Sequence, residues 1–133
     1  MNLWTYSKLA TLIALQMLKY EQAIKCAFFV GEEVGCVGSR ACDMSFFDNV
    51  KYVIQCDRKN GGDFINRASG TDLCDDTFVS KELKDRFGYK NCYGLMTDVM
   101  TLKDHGLKVA CCNMSCGYYN PHTSTEFTNI KEL

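Results

Sequence analysis

The apolar residues of this chain change period along its length, and that change limits the folds open to it. Between Ser7 and about Gln22, Leu9, Leu12, Ile13, Leu15 and Leu18 recur three and four residues apart with no Gly or Pro between them. That spacing predicts a helix with one core-facing side. The apolar runs at residues 24–30, 51–56 and 107–113 are too short for helices, and they carry Val, Ile, Phe, Tyr and Cys suited to buried strands. Two further helices are expected at residues 78–87, capped by Asp76 and ended by Gly88, and at residues 97–105, opened by Thr97 and ended by Gly106. Interleaved helices and strands predict an α/β fold, with helices layered on a mostly parallel or mixed sheet whose strands are buried on both faces.

Length and composition fit that expectation. The chain has 133 residues, 47% of them hydrophobic and 23% charged, enough for one modest core and too apolar for disorder. No repeat, low-complexity tract or linker divides it, so residues 1–133 are expected to form a single domain. A net charge of -1 supplies no basic field for nucleic-acid phosphates or anionic lipid. The apolar run at residues 9–18 lies between Lys8 and Lys19, contains Gln16, and covers only half of the roughly 20 residues a spanning helix needs. No membrane partner and no nucleic acid are expected. The nine cysteines are odd in number, and several sit inside apolar runs. They read as reduced thiols packed like small hydrophobes, which points to a cytoplasmic setting. Cys111, Cys112 and Cys116 lack the paired C-x-x-C spacing of a structural zinc site.

In open α/β sheets the chemistry gathers at the carboxyl ends of the strands. The first predicted strand ends in Gly-Glu-Glu-Val-Gly, with Glu32 and Glu33 bracketed by Gly31 and Gly35. The second ends in Cys56-Asp57-Arg58, and the third leads into Gly-Tyr-Tyr-Asn-Pro-His-Thr at residues 117–123. Each has a bland explanation when taken alone. The glutamates could complement a helix dipole, Asp57 could cap or face solvent, and His122 could simply pack. Together the three strand ends bring carboxylates and an imidazole toward one side of a sheet, and those are the donors of a hydrated zinc site.

Phe-Phe-Val-Gly-Glu-Glu-Val-Gly, a strand ending in Asp, and Gly-Tyr-Tyr-Asn-Pro-His-Thr with Glu126 four residues after the His resemble the co-catalytic dinuclear zinc exopeptidases. These are the aminopeptidases and the peptidase T-like and carboxypeptidase-like enzymes of one clan. The resemblance runs from about Leu9 to the end of the chain. It implies Glu32 as general base, Glu33 and His122 as ligands of one zinc, and Asp57 as a ligand of the other. It also implies a peptide substrate, with Tyr118 and Tyr119 either lining its pocket or packing. Glu126 would orient a ligand or begin a helix. The separation of 65 positions from Asp57 to His122 leaves no room for a lid or dimerisation insert, which implies the lidless aminopeptidase branch.

The same pattern calls for an H-x-D histidine and a bridging aspartate before the first helix, and neither precedes Leu9. His105, beside Asp104 and Gly106, reads as a helix-end residue. The resemblance therefore implies an incomplete domain, the carboxyl-terminal portion of a peptidase. It would bind at most one zinc, weakly, and show little or no activity alone. An exposed sheet edge would invite a completing chain or self-association. The alternative is a non-catalytic peptide- or protein-binding module derived from the same fold. The acids at positions 72, 75 and 76 read as helix caps, and residues 60–63, Asn-Gly-Gly-Asp, as a turn.

Overall fold

The computed structural model describes residues 5–20, 23–75 and 80–132. It is mixed α/β, built around a sheet of strands β1 (Tyr52–Arg58), β2 (Asp63–Ala68), β3 (Thr71–Asp72), β4 (Lys90–Gly94) and β5 (Ala110–Ser115). β5 pairs parallel with β1 and antiparallel with the start of β2. β2 pairs antiparallel with β3 near its end and parallel with β4 along its other side. The sheet is thus mixed, with β1 and β4 at its two edges. A small second sheet pairs β6 (Tyr118–Tyr119) with β7 (Phe127–Thr128). The helices are α1 (Thr5–Tyr20), α2 (Val37–Arg40) and α3 (Asp98–Asp104), joined by a 3₁₀ turn at Met44–Phe47, a π-helical segment at Ser80–Arg86 and a 3₁₀ turn at Ile130–Glu132.

The core forms where α3 lies across the sheet. Ile65, Ala68 and Cys111 from the strands meet Val99, Met100 and Leu102 from α3, with Leu73 and Leu107 closing the layer. Phe64 is fully buried. All nine cysteines are free thiols, and Cys36, Cys111, Cys112 and Cys116 are buried, as packing residues would be. Among the described residues no helix is long and apolar enough to cross a membrane.

The helices at 7–22 and 97–105 and the strands at 51–56 and 107–113 appear with shifted ends. Residues 107–109 form the connection after α3, where the Leu107 N–H bonds the Leu102 carbonyl, and β5 continues to Ser115 instead. His105 is the exposed C-cap of α3. The helix expected at 78–87 is a π-helical segment over Ser80–Arg86; Asp76 and residues 77–79 lie outside the described residues, as do Glu21 and Gln22. Asp72 pairs with Arg67 across β2 and β3 rather than capping a helix.

Three expectations fail. Residues 24–30 form no strand. The Gly38 N–H takes the Val30 carbonyl at 2.8 Å and the Val37 N–H takes that of Gly31 at 3.1 Å, so the chain bonds to its own next turn and leaves the edge of β1 without a strand. Gly38 permits this approach, because a Cβ there would lie 2.6 Å from the Val30 nitrogen. The first helix is also less buried than its pattern suggests. Ile13 packs on Cys116 and Tyr118, while Leu12, Leu15 and Leu18 are exposed, because the described chain puts no further layer over them. β1 likewise exposes Tyr52 and Ile54 and is not buried on both faces. The turn at 60–63 links β1 to β2 without a hairpin. β5 lies between these strands, and the link crosses its end, where Asn60 bridges to Tyr118.

This packing gives a direct test. Leu73→Ala should cost about 2–5 kcal/mol of unfolding free energy in urea denaturation. Leu95→Ala, at a residue 83% exposed, should change it by less than about 0.5 kcal/mol.

Candidate functional site

The glutamate pair sits on a tight turn. The Glu32 carbonyl accepts the N–H groups of Gly35 and Cys36, at 3.1 and 3.0 Å, and Cys36 takes a left-handed conformation (φ 57°) before α2 begins. α2 is then latched to α3. Buried Ser39 donates its hydroxyl to the carboxylate of Asp98, 2.6 Å away in the first turn of α3. The latch carries Glu32 and Glu33 to the amino-terminal end of α3.

Asp57 reaches the same place by a different route. The register of β1 on β5 runs from Cys56 opposite Met114 directly to Arg58 opposite Ser115, so Asp57 is the extra residue of a bulge. Bulges of this kind re-aim a side chain, and they are rare in parallel pairs. A buried polar network fixes this one. The Asp57 N–H donates to the Asn113 side-chain carbonyl at 3.2 Å, and the Gln55 amide donates to the Asp57 carboxylate at 3.3 Å. Thr97 donates its hydroxyl to Gln55 and accepts from the Asn113 amide at 3.2 Å, while the Val99 N–H also bonds the Gln55 carbonyl. With its hydroxyl taken by this network, Thr97 stands at the N-cap of α3 without making a side-chain cap.

Four carboxylates therefore sense one another. Burial first, then the charges of Asp57, Glu33 and Asp98, push the Glu32 carboxyl up to about 7. Burial and then Asp98 push Asp57 up to about 6, the Gln55 amide pulling the other way and Glu33 adding a smaller upward push. A carboxyl poised near neutrality can accept and return a proton at physiological pH.

His122 joins from the last loop. Its Nε2 stands 3.7 Å from Glu33 Oε1, both side chains being more than half exposed. The residue adopts a left-handed backbone (φ 61°), and its N–H donates to Glu126 Oε2 at 3.1 Å. Glu126 thus holds the turn and begins no helix. Tyr118 and Tyr119 diverge, as neighbours on a strand do. Tyr118 is buried and donates to the Asp57 carbonyl at 3.3 Å, whereas Tyr119 points to Glu132.

The donor set tests the fit to zinc. Two ligands on one tetrahedral zinc, each about 2.0–2.1 Å from the ion, stand about 3.3 Å apart, close to the separation of Glu33 and His122. That pair supplies two donors, however, and a catalytic zinc takes three from protein. Among the described residues no group of three or more His, Cys, Asp or Glu side chains is arranged to hold a metal. The residues present fit half of a zinc site.

Sequence reasoning missed Asp98. Its one signal, a Thr-Asp pair opening a helix, is also the ordinary signature of a cap. A cleft of about 670 Å³ lies elsewhere, between Arg67, Cys74, Cys92, Lys103 and Lys108. No family model, curated protein or solved structure matches the chain.

The raised carboxyls fix the sign of a pH effect. For Glu32 and Asp57 the folded-state values, about 7 and about 6, lie above the ordinary 4.5 and 3.8. The fold then binds more protons than the unfolded chain across that interval. Their contribution is fully present below the ordinary values and is lost as pH rises through 6 and 7. In chelator-containing buffer, Glu32→Gln and Asp57→Asn should gain thermal midpoint relative to the parent chain as pH rises from about 4 to about 8. Parallel curves for parent and variants would contradict the cluster.

Proposed function

We propose that this chain is the carboxyl-terminal portion of a zinc exopeptidase-like catalytic domain, of the lidless aminopeptidase type, acting on peptides. The observation that carries this reading is the approach of Glu33 and His122, two residues far apart in sequence that the resemblance assigns to one zinc. Glu32 supports it as a half-buried carboxyl that ionises near neutrality beside them. In this reading Glu32 takes the proton of the attacking water and hands it to the leaving amine. Glu33 and His122 supply half of one metal's ligands and Asp57 supplies one ligand of the other, so the remaining donors come from outside these residues. The open edge of β1, beside Asp57, is a place where a completing strand from a further segment or a partner chain could pair.

The second reading is a peptide- or protein-binding module without catalysis. The exposure of Glu33 and His122 favours it, since solvent-facing donors hold metal weakly.

A zinc titration followed through the His122 imidazole resonances tests the proposal. Zinc should shift them, with the apparent affinity falling at least about tenfold in Glu33→Gln. The chain should retain well under one zinc per molecule after dialysis and should not hydrolyse aminoacyl anilides. Resonances indifferent to zinc, or shifts unchanged by Glu33→Gln, would contradict the shared site. Stoichiometric tight zinc, or hydrolysis abolished by Glu32→Gln, would contradict its incompleteness.

A further inference from the structure

We propose that the pocket formed by Gly61, Gly62, Phe87, Tyr89, Tyr119 and Glu132 binds a methylated ammonium group. The cavity measures about 280 Å³ and lies where the β1–β2 link meets the closing 3₁₀ turn. That is below the roughly 300–1,000 Å³ of sites for drug-sized ligands, so it suits a headgroup or a single side chain.

Three of its walls are aromatic and one is a carboxylate. The Glu132 carboxylate is held by two neutral donors, the Tyr119 hydroxyl on Oε2 and the Asn129 amide on Oε1 at 2.6 Å. Neither donor cancels its charge, and among the described residues it enters no ion pair. The Tyr119 ring is fixed from behind by Phe127, stacked at 5.1 Å and 14°. Phe87 is exposed and already carries one cation, the Arg86 guanidinium 5.2 Å from its ring centre. Tyr89 is partly buried, and burial, followed by Cys56, Cys116, Asp63 and Glu132, raises its phenol above the ordinary value, so its hydroxyl stays protonated beside the pocket.

Gly61 keeps room in the pocket. A Cβ at Gly61 would stand 2.5 Å from Glu132 Oε2 and 3.4 Å from the Tyr119 hydroxyl, and Gly62 has φ 77°, which a larger residue would adopt only under strain. A bare ammonium or a metal ion is best held by several acceptors, and the lining supplies one carboxylate, each oxygen of which already accepts one hydrogen bond. A fully methylated, quaternary ammonium has no N–H and needs none. It is held by aromatic rings and a nearby negative charge, and this pocket is lined by three aromatic side chains and one carboxylate. The inference does not depend on the peptidase reading.

The test is calorimetry of the full chain with tetramethylammonium chloride, set against the neutral isostere 3,3-dimethylbutan-1-ol. Tetramethylammonium should bind saturably and the alcohol at least about tenfold more weakly. Glu132→Gln and Gly61→Ala should each weaken the cation about tenfold while keeping the parent far-UV circular dichroism spectrum. Choline and a trimethyllysine peptide, titrated in parallel, both carry the group. Tighter binding of either supports the site and identifies whether a small molecule or a modified side chain is its source. No saturable tetramethylammonium binding, equal binding of the alcohol, or unchanged binding in a folded Gly61→Ala chain would overturn the proposal. The comparison of cation with isostere on the parent chain stands even where a variant fails to fold.

Discussion

Thr97 is the point on which this structure turns. Its buried hydroxyl gives its proton to Gln55 on β1 and receives one from Asn113 on β5, so one oxygen ties two parallel strands to the start of α3. Every polar atom in that network is expensive to leave unpaired in the core, so the three elements are fixed together or not at all. The same side chains decide where the acids go. Asn113 catches the backbone of Asp57 in its bulge, Gln55 holds its carboxylate, and α3 presents Asp98 to Ser39 on α2. The carboxylate cluster is thus a consequence of how the sheet is fastened to its helix.

The sequence made some of this legible and hid the rest for identifiable reasons. β1 carries Tyr, Val and Ile, β5 begins inside the apolar run at 107–112, and α1 and α3 have clear helical spacing, so local pattern found them. β2 reads Asp-Phe-Ile-Asn-Arg-Ala and β4 reads Lys-Asn-Cys-Tyr-Gly, with too few consecutive apolar residues to signal a strand, yet β2 sits inside the sheet because both its sides find partners. Residues 24–30 show the converse. Their composition suits a strand, but a strand is defined by its neighbour, and the amides of Val37 and Gly38 take the carbonyls of Gly31 and Val30. Asp57 was recognisable as an acid at a strand end. The bulge that aims it was not, since register shifts arise from pairing with β5 and leave no mark on the residues themselves.

The two regions of chemical interest divide the last loop between them. His122 reaches Glu33, and Tyr119 reaches Glu132. Tyr118, which precedes both, is buried and bonded to the Asp57 carbonyl, which anchors the loop to β1. A left-handed backbone at both Asn120 and His122 lets the chain turn sharply enough to serve both sides. A rigid sheet end carrying short, over-determined loops is a common platform for binding chemistry.

Glu32, Asp57 and Asp98 converge although they come from three separate parts of the chain. A carbon-detected NMR titration of the Glu32 side-chain carboxyl, in the parent chain and in Asp57→Asn, tests this most directly. The structure predicts a midpoint of about 7 in the parent chain, set first by burial, that moves down in Asp57→Asn as the charge of Asp57 is removed. A midpoint already near 4.5, or one unmoved by Asp57→Asn, would contradict it.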